Sequence, residues 1–206
     1  MAVVTSIKPQ KKAGRVNVYL DGKFAFGIDL DNYLKLNLKV EQELTDEEVE
    51  NIVKKAEFQK TLDKVLRFSM VRPRSIKEIK GWFKRKKVHE SLHKELFEKL
   101  EHFDLVDDEK FARWWIEQRQ NFKPKPKRIL SQELKVKGID DETILKALDE
   151  VELDESKMAK EQLDKNMHRW QGFEGWEKRQ KSAQFLLRKG FSWETVKKLL
   201  SIDQED

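Results

Sequence analysis

The fold is decided by the stretch ELKVKGIDDETILKAL, residues 133–148, which returns as FLLRKGFSWETVKKLL at residues 185–200. Both copies read as a helix, a Lys-Gly turn, a bulky apolar residue and a second helix. The offset is constant, since 190 minus 138 for the glycines and 186 minus 134 for the leucines both give 52. Self-similarity at a fixed spacing indicates a helical array in which neighbouring units bury their apolar faces on one another.

Helical periodicity continues on both sides of this stretch. Thr45 and Glu48 form a capping box that predicts where the helical part begins. We expect a first repeat with a lead-in helix at residues 45–106, a second repeat at residues 107–152 and a third at residues 153–206. The sequence therefore predicts a mainly α fold of tandem three-helix repeats, and the high share of charged residues, 39%, favours an elongated form.

The first repeat aligns less cleanly than the other two. When Phe83 is set against Leu134, Lys87 stands opposite Gly138. Helices often end on a glycine in the left-handed conformation, so we expect the helix before Lys87 to close in a different way.

The first 44 residues are β-rich and form an N-terminal extension at residues 1–44. Asp21-Gly22 separates two alternating apolar runs, which is a strong signal for a β-hairpin. A third strand is expected at residues 3–7, and residues 30–38 read as a short helix. The extension is therefore a small three-stranded segment.

Composition restricts the class of protein. The chain has 206 residues, a formal net charge of +5 and no cysteine, which excludes disulfides and thiolate metal sites. No apolar run approaches the roughly 18 residues of a membrane-spanning helix, and the N-terminus lacks the apolar segment of a signal peptide. We expect a cytoplasmic protein with no membrane association.

Signs of catalysis or cofactor binding are weak. His89 and His93 stand four residues apart without a nearby third ligand, so we expect no metal site. The phosphate-binding pattern Gly-x-x-x-x-Gly-Lys is missing. We expect no cofactor and no enzymatic activity, and we assign no catalytic residues.

Basic residues cluster around the second helix of each repeat, and stacking of the repeats would align them into a stripe that neutralises phosphates. The alternative is a solvated helix face with lysines placed favourably at helix C-termini. Arg72 and Arg74 flank Pro73, which suits guanidinium groups held for phosphate or carboxylate recognition. The candidate contacts to DNA or a protein partner are Arg72, Arg74, Lys84, Arg85, Lys86, Arg119, Lys125, Lys127, Arg128, Lys135, Lys137, Arg179, Arg188, Lys189 and Trp114.

Trp114 enters this set because it is adjacent to Trp115 on one helix. Successive helical residues point about 100° apart, so we expect one of the two rings to face outward, where it could stack on a base or anchor a partner. Packing between repeats is the interpretation that we favour for this pair, and the partner contact is the alternative. The remaining tryptophans are predicted in the core or between repeats: Trp82, Trp170, Trp176 and Trp193.

Four motifs stand in the order and spacing of a known family. They are RPRSIKEI at residues 72–79, LVDDEKFA at residues 105–112, Arg128-Ile129 with Glu133-Leu134 and Lys137-Gly138-Ile139, and FLLRKGF at residues 185–191. Over about residues 57–202 the chain resembles the RecX family of recombination regulators. It departs from the family at Lys87, where glycine is usual, and at Lys123-Pro124-Lys125-Pro126.

The resemblance implies a curved array of three-helix repeats and a non-catalytic modulator of the RecA recombinase. Members of the family bind RecA and its filament on single-stranded DNA, in the filament groove. They inhibit ATP hydrolysis, strand exchange and coprotease activity, which tempers the SOS response to DNA damage. The expected partners are RecA and this filament, with direct DNA contact left open, and we expect a monomer.

Two other functions stay open from the residues alone. Triplets of short helices also occur in sequence-specific helix-turn-helix proteins, although no helix carries the compact set of Arg, Asn and Gln expected of base readers. A helical-repeat scaffold for acidic peptides is the second alternative.

Overall fold

Four antiparallel strands form the N-terminal part of the chain in a computed structural model that describes residues 1–11 and 14–201. The strands β1 Ala2–Pro9, β2 Arg15–Leu20, β3 Lys23–Asp29 and β4 Glu43–Leu44 are ordered β3-β2-β1-β4. The Asp21-Gly22 hairpin is confirmed, because φ is +49° at Asp21 and +79° at Gly22, as a tight two-residue turn requires. The sequence did not predict β4, since a two-residue strand shows no alternation.

The sheet buries one face against helix α2. Alternate residues of β2 point into this core, with Val16, Val18 and Leu20 buried. After β3 comes α1 Leu30–Lys35, and after β4 comes α2 Asp46–Met70, which adds Ile52 and Ala56 to the same core. The capping box of Thr45 and Glu48 at the start of α2 is confirmed.

Eight further α-helices follow, which gives ten α-helices among the described residues. They are α3 Ile76–Lys86, α4 His93–His102, α5 Asp108–Phe122, α6 Lys127–Val136, α7 Asp141–Asp149, α8 Glu155–Asn166, α9 Gly175–Arg188 and α10 Trp193–Leu200. The predicted mainly α fold is confirmed. The triplets α5–α7 and α8–α10 each have a core of their own, which includes the fully buried Leu134 and Leu186 respectively.

The chain divides into two compact units. One comprises Met1–Arg72 with Trp82–Leu105, and the other comprises Pro73–Gly81 with the described residues from Val106 onward. The sequence boundaries at residues 1–44, 45–106, 107–152 and 153–206 stay predictions. Residues 12 and 13 of the expected N-terminal extension and residues 202–206 of the expected third repeat lie outside the described residues.

The middle helices α3, α6 and α9 end in the same turn. In each, a backbone N–H two or three residues past the helix donates to a carbonyl of the last turn, and the residue before that N–H is left-handed. The bonds join Val88 to Phe83 (3.0 Å), Ile139 to Leu134 (3.1 Å) and Phe191 to Leu186 (3.2 Å). The expectation that the first turn closes differently is therefore wrong. Lys87 adopts φ +52°, beside +88° for Gly138 and +94° for Gly190.

Candidate anion-binding surface

The turns that end α6 and α9 each pack on the first turn of the preceding middle helix. We call the contact of Gly138 with Lys77 of α3 the first junction, and the contact of Gly190 with Ile129 of α6 the second junction. A Cβ on Gly138 would lie 2.7 Å from Cβ of Lys77, and a Cβ on Gly190 would overlap Cγ1 of Ile129. Glycine is therefore required at both turns by space as well as by positive φ.

Each junction also covers the N-terminus of the middle helix with a carboxylate from the next repeat. The N–H of Ile76 donates to Oδ1 of Asp108 at 2.9 Å, and the N–H of Lys127 donates to Oε1 of Glu155 at 2.7 Å. Such bonds satisfy backbone donors that the helix itself leaves without an acceptor. Burial raises the pKa of the Asp108 carboxyl, although the bond from Ile76 acts in the opposite direction.

At the first junction, the polar side chains are engaged in hydrogen bonds and an ion pair within the protein. The Ser75 hydroxyl donates to the carbonyl of Lys137 at 2.9 Å, and Nζ of Lys77 donates to the carbonyl of Val136 at 2.9 Å. Nζ of Lys137 lies 2.8 Å from Oε1 of Glu78, whose side chain is only 15% exposed. The cations of this junction are therefore occupied within the protein.

Equivalent positions at the second junction carry different chemistry. The buried positions Ile79 and Leu130 align, which places Pro126 opposite Ser75, Ile129 opposite Glu78 and Arg128 opposite Lys77. The offset of 52 places Arg188 opposite Val136 and Lys189 opposite Lys137. The second junction therefore gains one cation, at Arg188, and loses the carboxylate that neutralises the first.

Arg128 and Arg188 line one cleft of about 410 Å³, together with Gln132 and Ile129. Both guanidinium side chains are exposed, and neither has an ion-pair partner among the described residues. Two forked donors that share a cleft without a carboxylate suit a phosphate or carboxylate ligand. This cleft is the best-formed candidate site among the predicted residues.

Several other predicted cations are engaged within the protein. The pairs are Arg74 with Glu78 (3.8 Å), Arg119 with Glu133 (2.7 Å), Lys127 with Asp149 (3.9 Å), Lys135 with Asp141 (2.7 Å) and Lys137 with Glu78 (2.8 Å). A ligand would have to compete with these carboxylates, so such cations contribute less to anion binding than those of the second junction.

The remaining predicted cations differ in exposure. Lys84, Arg85 and Lys86 are exposed in the last turn of α3, where the helix dipole favours them. The ammonium of Lys189 lies 5.5 Å from the centroid of the Phe185 ring. Three further residues are half-buried: Arg72, Lys125 and Arg179. A continuous basic stripe across all three repeats stays a prediction.

Trp114 and Trp115 are both half-buried against the core of α5–α7, rather than one of them being exposed. The indole N–H of Trp115 donates to Glu133 at 2.8 Å, and the ring lies 4.5 Å from the Arg119 guanidinium and 4.8 Å from the Lys137 ammonium. The Trp115 ring thus lies against two of the predicted cations, and its N–H shares the Glu133 carboxylate with Arg119.

The prediction that Trp176 and Trp193 lie in the core or between repeats is wrong, whereas Trp82 and Trp170 are buried as expected. Trp176 is 72% exposed and Trp193 is 47% exposed. Both rings line a groove of about 380 Å³ beside α9. The sequence signal was a second stripe on α9, since residues 176, 180, 183 and 187 recur at helical spacing beside the buried stripe.

No helix in the part of the chain that the structure describes is long and apolar enough to cross a membrane. Within that same part, no group of three or more His, Asp or Glu side chains is placed to hold a metal ion.

Family models match three consecutive parts of the chain. The regulatory protein RecX N-terminal domain matches residues 2–45, the second RecX three-helix domain matches residues 107–148 and the third RecX three-helix domain matches residues 154–200. The chain is thus of the class of regulatory proteins built from tandem three-helix domains.

Curated relatives and a solved structure indicate the same family as the family models. Regulatory protein RecX of Bacillus licheniformis is 33% identical over 198 residues, and that of Bacillus subtilis is 31% identical. Both alignments cover 95% of this chain and 75% of the relative. A crystal structure of regulatory protein RecX superposes with a TM-score of 0.77 at 27% identity, covering 98% of this chain and 100% of that one. This chain belongs to the RecX family.

Proposed function

We propose that this protein is a non-catalytic regulator of the RecA recombinase that binds the RecA filament on single-stranded DNA and lowers its activity. The proposal is supported by family membership and by the resemblance of its motifs to recombination regulators. The observation that carries it is the second junction, where Arg128 and Arg188 face one cleft without a carboxylate. The two guanidinium groups would provide the contact to the filament.

Both components of the filament fit this chemistry. A guanidinium fork binds a phosphodiester through two parallel hydrogen bonds, and it binds an aspartate or glutamate side chain in the same way. Binding to phosphates would weaken steeply with salt because counterions are released. Binding to acidic side chains of RecA at an exposed surface would also weaken with salt, through screening.

Regulation follows from linkage. A ligand that binds one state of the filament more tightly than another shifts the population toward that state. If the protein prefers a filament that does not turn over ATP, then ATP hydrolysis, strand exchange and coprotease activity fall together. Inhibition at one molecule per few RecA subunits would indicate binding along the filament, whereas inhibition far below that ratio would indicate binding at filament ends.

The test is the single-stranded-DNA-dependent ATPase of RecA, titrated with this protein. We expect inhibition by the wild type and at least about tenfold weaker inhibition by the double variant Arg128→Ala, Arg188→Ala. The matched control removes two cations elsewhere, with Arg67→Ala and Lys99→Ala, both exposed in the other unit. It should inhibit like the wild type.

Absence of inhibition at saturating protein would contradict the proposal. A footprint on one duplex sequence, without an effect on RecA, would favour a helix-turn-helix regulator. Binding of acidic peptides alone would favour a scaffold.

A further inference from the structure

The groove between α9 and α10 carries two exposed indoles that no part of the proposed function uses. Trp176 stands at the start of α9 and Trp193 at the start of α10, and both line one groove of about 380 Å³. Single exposed hydrophobic side chains are ordinary on a protein surface, whereas apolar side chains grouped in one patch mark interaction sites. Their convergence on one groove indicates a site rather than two isolated rings.

The groove has the size and lining of a small-ligand site. Its volume falls in the range of about 300–1,000 Å³ that such sites occupy. Ala183 and Leu187 contribute apolar surface, whereas Gln180 and Gln184 contribute amides that donate and accept hydrogen bonds. A flat ligand with polar edges matches this combination better than an aliphatic one.

The groove adjoins the basic cleft of the second junction. Leu187 lines both, and Arg188, which follows it on α9, lines the cleft. A ligand that reaches from groove to cleft would therefore meet stacking surfaces at one end and two guanidinium groups at the other. A nucleotide has this order of groups, since its base is flat and its phosphate is anionic.

We propose that the groove receives an unpaired nucleobase of single-stranded DNA while the Arg128–Arg188 cleft holds phosphate of the same strand. Stacking on Trp176 and Trp193 would be tolerant of sequence, because every base offers a π-face. The inference rests on the proposed function only for the choice of single-stranded DNA as the ligand. It assigns to this chain a direct DNA contact that does not require RecA.

The test uses the whole protein without RecA and two fluorescein-labelled strands of equal length. One is oligodeoxythymidine, and the other is an abasic deoxyribose-phosphate strand with the same phosphates but no bases. Anisotropy should show that the wild type binds oligodeoxythymidine at least about tenfold more tightly than the abasic strand, as expected for one stacked base.

Two variants separate stacking from charge. The double variant Trp176→Ala, Trp193→Ala should lose the preference for bases and keep its affinity for the abasic strand. The double variant Arg128→Ala, Arg188→Ala should weaken binding to both strands and reduce the slope of log K against log salt by about 2. The control Phe122→Ala removes an aromatic ring that is 82% exposed outside the groove, and it should change neither affinity.

Equal affinity of the wild type for the two strands would overturn the inference, as would an unchanged preference in the tryptophan variant. If the tryptophan variant binds both strands normally but no longer inhibits the RecA ATPase, then the groove contacts protein rather than a base. Inhibition of RecA by a protein that shows no base preference would leave the proposed function standing and remove only this inference.

Discussion

The two junctions share a backbone arrangement and differ in what their side chains leave exposed. In both, a glycine turn packs closely on the first turn of a middle helix, and a carboxylate from the next repeat accepts a hydrogen bond from the N-terminus of that helix. At the first junction, Glu78 neutralises Lys137. At the second, Ile129 stands in place of Glu78, and Arg128 and Arg188 face a cleft.

The repeat therefore fixes the backbone geometry of a junction, whereas a few side-chain differences decide which junction can bind a ligand. A junction whose charges are paired within the protein stabilises the fold. A junction with the same backbone but an apolar residue in place of the carboxylate keeps its cations available to a ligand. Net charge alone would not separate the two, because both are rich in basic residues.

The substitution with the largest expected effect disrupts the glycine turn that the two junctions share. Gly190→Ala forces a Cβ onto Ile129 and keeps a left-handed backbone at φ +94°. We expect a loss of about 2–5 kcal/mol in the free energy of unfolding, from about 1–2 for the conformation and about 1–3 for the overlap. Urea unfolding followed by circular dichroism measures it.

Two glycines in open space serve as controls for that loss. Gly22→Ala has positive φ but no neighbour within 4 Å, so it should show only the conformational cost. Gly172→Ala has neither constraint and should change stability by less than about 0.5 kcal/mol. Equal losses for Gly190→Ala and Gly22→Ala would contradict the steric role of the second junction.

The next effect tests the internal pairing at the first junction. Glu78→Gln removes the charge that Arg74 and Lys137 face, and we expect a loss of about 2 kcal/mol because hydrogen bonds to charged groups contribute about 1.5–3. The control is Glu109→Gln, whose carboxylate pairs with Arg113 and Lys146 at an exposed surface. That change should cost less than about 1 kcal/mol. Similar costs for both variants would mean that the first junction is no stronger than a surface pair.

A smaller effect concerns the turn without a glycine. Lys87 holds φ +52° with a side chain, so Lys87→Gly should stabilise the protein by about 0.5–1 kcal/mol. Lys86→Gly, one residue earlier and inside α3, should instead destabilise it by a similar amount. Thermal melts of the two variants check the opposite signs, and a loss of stability in Lys87→Gly would show that its side chain matters more than its conformation.

The smallest expected effect is a pH dependence at the first junction. Burial raises the pKa of Asp108, with Asp107 and Asp140 adding to the rise, so the fold disfavours its charged form. The stability of the wild type relative to Asp108→Asn should therefore increase as pH falls through the folded pKa, and level off below the ordinary aspartate value of about 3.9. Unfolding of both proteins from neutral to acidic pH measures the difference, and a constant difference would contradict it.

Much of this fold could be predicted from the sequence because it repeats. The Lys-Gly turns, the capping box at Thr45 and the Asp21-Gly22 hairpin all have local chemical causes. The prediction failed at Lys87, because the lack of a glycine there indicated that α3 would end in a different turn. The hydrogen bonds of the turn outweigh a modest backbone cost, and glycine is needed only where a neighbouring helix fills the space.

The site was harder to predict because burial and pairing depend on tertiary contacts. The sequence placed Arg128, Arg188, Arg119 and Lys137 in one undifferentiated set. Only the structure separates cations that are paired internally from the pair that shares a cleft. The exposure of Trp176 and Trp193 was missed because an aromatic residue at helical spacing usually marks a core, although the second stripe on α9 was a signal for it.

The most direct test transfers the carboxylate of the first junction to the second. Ile129→Glu places a carboxylate at the cleft, as Glu78 does beside Lys137 at the first junction. Ile129→Gln introduces a side chain of nearly the same shape as glutamate but without the charge. In the RecA ATPase titration, at equal folded fraction by circular dichroism, we expect Ile129→Glu to inhibit at least about tenfold more weakly than Ile129→Gln. Equal inhibition by the two variants would contradict the assignment of the second junction as the functional surface.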